Sequence, residues 1–113
     1  MRVSQIAAGG LALAILCGSE GPAQARCFEF VGCAHRHPFT EFDLSLISCK
    51  RLNFIRNSIF AEKGYCFEEP KYWGMFGEYE CIYERAVDVP LNTRERENIR
   101  KIRQAEAEKR CPR

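Results

Sequence analysis

Four groups of residues have types and spacings that could do chemistry. Cys33, His35 and His37 fall within the five-residue stretch CAHRH, and thiolate and imidazole are zinc ligands. Glu68, Glu69, Glu78, Glu80 and Glu84 form an acidic run. Such a run could supply the two carboxylates, at a defined separation, that glycan hydrolysis needs. Arg56 and Asn57 form a polar pair inside an otherwise helical stretch, IRNSIFAEKGYCF. Tyr72-Trp73, with Tyr79 and Tyr83, offers aromatic area that can grip sugars, peptides or apolar partners at low entropic cost.

Each group also has a plainer reading. Cys33 in a disulfide would be a poor metal ligand, so no metal and no cofactor is expected. Acids scattered on a connector are usually solvated. Trp73 is expected inside so small a fold. Arg56 is expected to pair with a carboxylate of the acidic middle segment and Asn57 to bond a loop backbone, since polar groups at packed positions are usually satisfied internally. Being adjacent, the two point in different directions on a helix and do not make one tight site alone. No serine sits in a nucleophile elbow, and no glycine loop is built for phosphate. No catalytic set is expected; Tyr79 and Tyr83 remain as a candidate binding surface.

The N-terminus predicts export. After Arg2, residues 6–17 form an apolar run shorter than the ~20 residues that span a bilayer. Gly21 and Pro22 break it, and Ala23-Gln24-Ala25 has the small-x-small cleavage pattern. Cleavage after Ala25 would leave a short periplasmic or secreted chain with no stable membrane insertion. Cys17 would leave with the leader. Cys27, Cys33, Cys49, Cys66, Cys81 and Cys111 would remain. An even number in a short exported chain reads as a disulfide framework, and a domain of this size is marginal without such cross-links.

Charge says little about partners. The leader contains one base and one acid, so its removal leaves the net charge at +2. Residues 60–88 are acidic and residues 94–113 basic, which suits two segments adjacent in one fold. No nucleic-acid module is present.

These residues must be positioned by few elements. Residues 26–44 show no period and read as an irregular arm, with Phe28, Phe30, Phe39 and Phe42 tucked onto the core. Residues 46–63 read as a helix: Cys49, Leu52, Ile55 and Ile59 keep the 3–4 spacing of one apolar face. Ser45 or Ser48 would cap it, and Gly64 suits the left-handed position that ends it. Pro70 opens a short helix over 70–76. Residues 78–91 connect, anchored by Val87, Val89, Pro90 and Leu91. Residues 93–110 read as the last helix, opened by an Asn92–Glu95 capping box and laced by Glu97–Lys101 and Glu106–Arg110 pairs. A straight helix over 49–63 holds Cys49 and Cys66 about 20 Å apart, too far to bridge. Six cysteines allow fifteen connectivities, and excluding that pair removes only three, so the pairing stays open. If the long helices are antiparallel, Cys111 approaches Cys49. Cys66–Cys81 then brackets the short helix, and Cys27–Cys33 closes the N-terminal loop.

RNSIFAEKGYCF, followed by VPLNTRERENIRKIRQAE, resembles the YARHG domain, a family of small exported bacterial domains of unknown function. The resemblance spans about residues 45–110. It rests on Arg56, Asn57, Ile59, Phe60, Ala61, Gly64 and Tyr65, and on the pattern from Leu91 to Ile102. Phe60 stands where the family usually has tyrosine, and Glu62 and Lys63 stand where its name spells arginine and histidine. The resemblance implies bacterial export and a compact helical domain. The motif itself reads mainly as a device for ending a helix.

The whole is expected to be mainly α. It would be a small disulfide-stapled domain with two long helices, one short helix and an irregular N-terminal arm. Residues 1–25 would be a signal peptide, 26–44 the arm and 45–111 the helical domain. The expected function is a non-enzymatic domain of the cell envelope that binds peptidoglycan or an envelope protein. The alternative is a small secreted effector or inhibitor acting on another protein; a hydrolase using the acidic run ranks last.

Overall fold

In the computed structural model, residues 27–112 are described. The expected leader, with Cys17 and its cleavage site, lies outside them. The chain begins with a small antiparallel pair, β1 (Cys27–Phe28) and β2 (Gly32–Cys33), with Cys27 opposite Cys33. Four helices follow: α1 (Glu41–Ser45), α2 (Cys49–Glu62), α3 (Pro70–Phe76) and α4 (Thr93–Glu108), with a 3-10 turn at Ala86–Asp88. The molecule is mainly helical.

The long helices form where their apolar spacing and caps dictate. The hydroxyl of Ser48 accepts from Arg51 N and starts α2 at Cys49, so Leu46 and Ile47 lie before the helix. Leu52, Ile55 and Ile59 are buried along one face. Each such side chain contributes about 1.5–3 kcal/mol by leaving water. α4 opens with a complete capping box: Asn92 Oδ1 accepts from Glu95 N, and Glu95 Oε1 accepts from Asn92 N. Its buried stripe is Ile99, Ile102 and Ala105.

α2 and α4 are antiparallel. Cys49 at the start of α2 is bonded to Cys111 just past α4. Lys63 at the other end of α2 lies 3.2 Å from the buried carboxylate of Glu95 in the first turn of α4. The pairing between the acidic and basic stretches therefore runs opposite to their bulk charges: a base of the former meets an acid of the latter. The remaining disulfides are Cys27–Cys33, across the hairpin, and Cys66–Cys81, either side of α3.

The family motif ends α2. Gly64, at φ +97°, is the left-handed residue. Its N–H bonds to Ala61 O, and the N–H of Tyr65 bonds back to Phe60 O. This is the Schellman arrangement, completed by ring contact between Phe60 and Tyr65 at 5.8 Å. The carbonyl of Gly64 then accepts from both Ile82 N and Tyr83 N, and Tyr83 O accepts from Cys66 N. The helix stop thus holds the connector next to the Cys66–Cys81 bridge.

The arm is irregular apart from its short elements, and it is firmly docked. Phe28, Val31, Ala34, Phe39, Leu44 and Ile47 are buried with the stripes of α2 and α4. Asn98 of α4 is fully buried among them. Its Oδ1 accepts from Phe39 N, and its Nδ2 donates to Ala34 O and His37 O. Lys101 Nζ donates to Phe39 O, and Asn92 Nδ2 to His35 O.

Several side chains depart from expectation. Phe30 and Phe42 are 71% and 72% exposed rather than tucked in. Phe30 occupies the tight turn of the hairpin at φ 81°, and Phe42 lies two residues before the buried Leu44, on the other side of a one-turn helix. Trp73 is 60% exposed rather than core. The two-turn α3 packs one stripe, and Tyr72 and Phe76 fill it. The indole N–H of Trp73 donates to Phe67 O while the ring stays at the surface. Val87 is exposed, whereas Val89 is buried. On α4, Glu97 bonds Arg100 rather than Lys101, and that hydrogen bond holds the Glu97 carboxyl below its ordinary value. Glu106 bonds Arg56 of α2 rather than Arg110.

Candidate functional site

The C-terminal half of α2 carries Arg56 on the side toward α4. Arg56 Nε and Nη2 donate to the two carboxylate oxygens of Glu106, each at 2.9 Å. This bidentate, half-buried pair corrects the expectation of a partner in the acidic middle segment. The reason is register: antiparallel packing sets the middle of α2 against the last turns of α4.

One turn before Asn57, on the side toward α3, lies Asn53. Asn57 Nδ2 donates to Asn53 O, 3.0 Å away, so Asn57 bonds its own helix and not a loop. Tyr72 of α3 donates its hydroxyl to Asn53 Oδ1 at 3.3 Å. α2 therefore runs between two walls, tied to α4 by Arg56 and to α3 by Asn53.

Between these walls is a half-open cleft of about 630 Å³. Asn53, Arg56 and Asn57 line it from α2, and Arg103, Glu106 and Ala107 from α4. Tyr65, Phe67, Glu68, Glu69 and Tyr72 line the opposite side, and the Cys49-bonded Cys111 with Pro112 lies at one end. Arg56 and Asn57 thus share one site after all. Two residues 100° apart on a helix both reach a cleft that is wide enough.

The motif residues separate by role. Arg56, Asn57 and Tyr65 line the cleft. Ile59, Phe60, Ala61 and Gly64 are buried and shape the helix end. The two tyrosines singled out as a binding surface are not among the lining residues. Tyr79 is half-buried against Ala61, Tyr72 and Phe76, and Tyr83 packs beside the main core. The acidic run is divided likewise: Glu68 and Glu69 line the cleft, while Glu78, Glu80 and Glu84 do not.

Asn53 and Arg103 were not legible as site residues. An asparagine one turn from Asn57 was a usable signal. Arg103 could be placed only with the register of α4 in hand.

The CAHRH stretch has other duties. Cys33 is oxidised, and His37 Nδ1 accepts from Cys33 N at 2.9 Å. No cluster of three or more metal-ligating side chains occurs among the described residues. Nor, among them, is any helix long and apolar enough to cross a membrane.

No curated protein and no solved structure matches the chain. The family model of the YARHG domain matches residues 29–107, taking in most of the arm, the helices except the last residue of α4, and the cleft-lining residues other than Cys111 and Pro112. The chain therefore belongs to the YARHG domain family.

Proposed function

We propose that this chain is an exported, non-enzymatic binding domain of the bacterial cell envelope, and that the cleft beside α2 receives its ligand. The observation that carries the reading is the cleft itself. It has the size of a small-ligand site, and the polar motif residues Arg56 and Asn57 open into it. Three disulfides in so short a domain suit an oxidising compartment. Binding is favoured over catalysis because two of the groups that could react are engaged, and the open carboxylates, Glu68 and Glu69, are chain neighbours on one side of the cleft. Arg56 holds both oxygens of Glu106, and the sulfur at the cleft's end is oxidised.

The ligand is peptidoglycan or an envelope protein. Sedimentation of the exported, oxidised protein with purified peptidoglycan sacculi tests the wall version. Retention that persists in high salt is the expected result. Retention lost in salt would reflect only the basic α4 adhering to anions. Absence of retention at both salts would overturn wall binding.

Trp73 and Met75, 60% and 51% exposed on α3, favour a second reading as an effector or inhibitor acting on another protein. That reading predicts a stoichiometric complex with a soluble protein, weakened by Trp73→Ala.

A further inference from the structure

The polar atoms left open in the cleft specify a ligand class. Asn53 uses its Oδ1 for Tyr72 and Asn57 uses its Nδ2 for the backbone of Asn53. Asn53 Nδ2 and Asn57 Oδ1 then remain without a protein partner among the described residues. A donor and an acceptor one helical turn apart match the C=O and N–H of a secondary amide. Arg56, fixed by Nε and Nη2, keeps Nη1 as a further donor.

Charge supplies the second half of the pattern. On the α4 side, the guanidinium of Arg103 has no ion pair among the described residues. On the other side, the carboxylates of Glu68 and Glu69 have none either. The cleft thus offers one cationic and one anionic position on opposite walls.

The aromatic rings decide between a glycan and a peptide. A sugar would need an open ring face. Phe67 is instead stacked with Phe76 at 5.2 Å, tilted on Tyr72 at 5.0 Å and met edge-on by Tyr65 at 4.8 Å. Lys71 Nζ stands 5.2 Å from the Tyr72 ring centre. These rings pack one another and form a wall rather than a stacking platform.

We propose that the cleft binds a short extended peptide carrying both charges. Asn53 and Asn57 would read a backbone amide, Arg103 a carboxylate, and Glu68 with Glu69 an amine. The proposal rests on the cleft being the ligand site, and within the wall reading it assigns recognition to the peptide part of the polymer.

The test uses the exported, oxidised protein with three probes: intact sacculi, glycan strands stripped of peptide by an amidase, and the released peptides. Binding to sacculi and to released peptides, but not to stripped glycan, is expected. Arg103→Gln and Asn53→Asp should each weaken peptide binding about tenfold while leaving the thermal unfolding midpoint unchanged; the second keeps the oxygen that Tyr72 needs. Stripped glycan binding as well as sacculi would overturn the peptide proposal and leave wall binding standing. Released peptides binding while sacculi do not would uphold the proposal and overturn the wall reading. Peptide binding indifferent to both substitutions would remove the ligand from this cleft. Binding to none of the three would overturn both readings.

Discussion

Single side chains decide how the arm is held and where the core is imperfect. Asn98 satisfies three backbone groups of the arm: the buried N–H of Phe39, the buried C=O of Ala34 and the part-buried C=O of His37. A buried group left unsatisfied costs about 1–3 kcal/mol. Asn98→Ala is therefore expected to lower unfolding free energy by about 3 kcal/mol, measured by urea denaturation of the oxidised protein. An effect below about 1 kcal/mol would mean that water replaces the amide. Ser58 is the opposite case. Its hydroxyl is buried on α2 with no hydrogen-bond partner among the described residues. Ser58→Ala removes an unsatisfied polar group with little loss of volume, and should leave stability unchanged or raise it by about 1 kcal/mol. A clear loss in the same denaturation measurement would contradict this.

At the scale of elements, the end of α2 matters most, because it is both a fold device and a wall of the cleft. Gly64 adopts φ +97°, and a Cβ there would stand 3.2 Å from the side chain of Ile82. A left-handed position costs an L-residue about 1–2 kcal/mol before any crowding. Gly64→Ala should cost about 2 kcal/mol in all and displace the Tyr65–Phe67 side of the cleft. The denaturation midpoint reports the first effect, and aromatic chemical shifts in the NMR spectrum report the second. The capping box of α4 is coupled to the same place, since Glu95 both caps α4 and pairs with Lys63 at the end of α2. Glu62 and Lys63, which depart from the family's usual residues, therefore flank a packed junction.

For the whole molecule, Cys49–Cys111 is the closure that counts, because its 62-residue separation is the longest of the three. Chain-entropy reasoning gives such a loop about 4 kcal/mol. Replacing both cysteines with alanine should lower stability by about that amount and open the Pro112 end of the cleft. Equal denaturation midpoints for variant and parent would show that helix packing alone holds the ends together. How much of this was legible follows from range. Ser48, Asn92, Glu95 and Gly64 act on neighbours three or four positions away, so caps and helix ends could be read from residue type. Leu52, Ile55 and Ile59 announced their face by spacing, and helix length excluded Cys49–Cys66. Which partner Arg56 takes, which way Trp73 and Phe42 point, and that Asn53, Arg103 and Glu68 share one cleft depend on the register between α2 and α4 and on which stripe a short helix buries. Those choices are made between segments from 19 (Asn53 and Tyr72) to 50 (Arg56 and Glu106) residues apart, where the energy lies in packing rather than in local backbone chemistry. The sequence by itself determined the two long helices, the short Pro70 helix and the device that stops the first long one; only the tertiary structure decided the one-turn helix of the arm, the pairing of the cysteines and the site, because each depends on packing between distant segments.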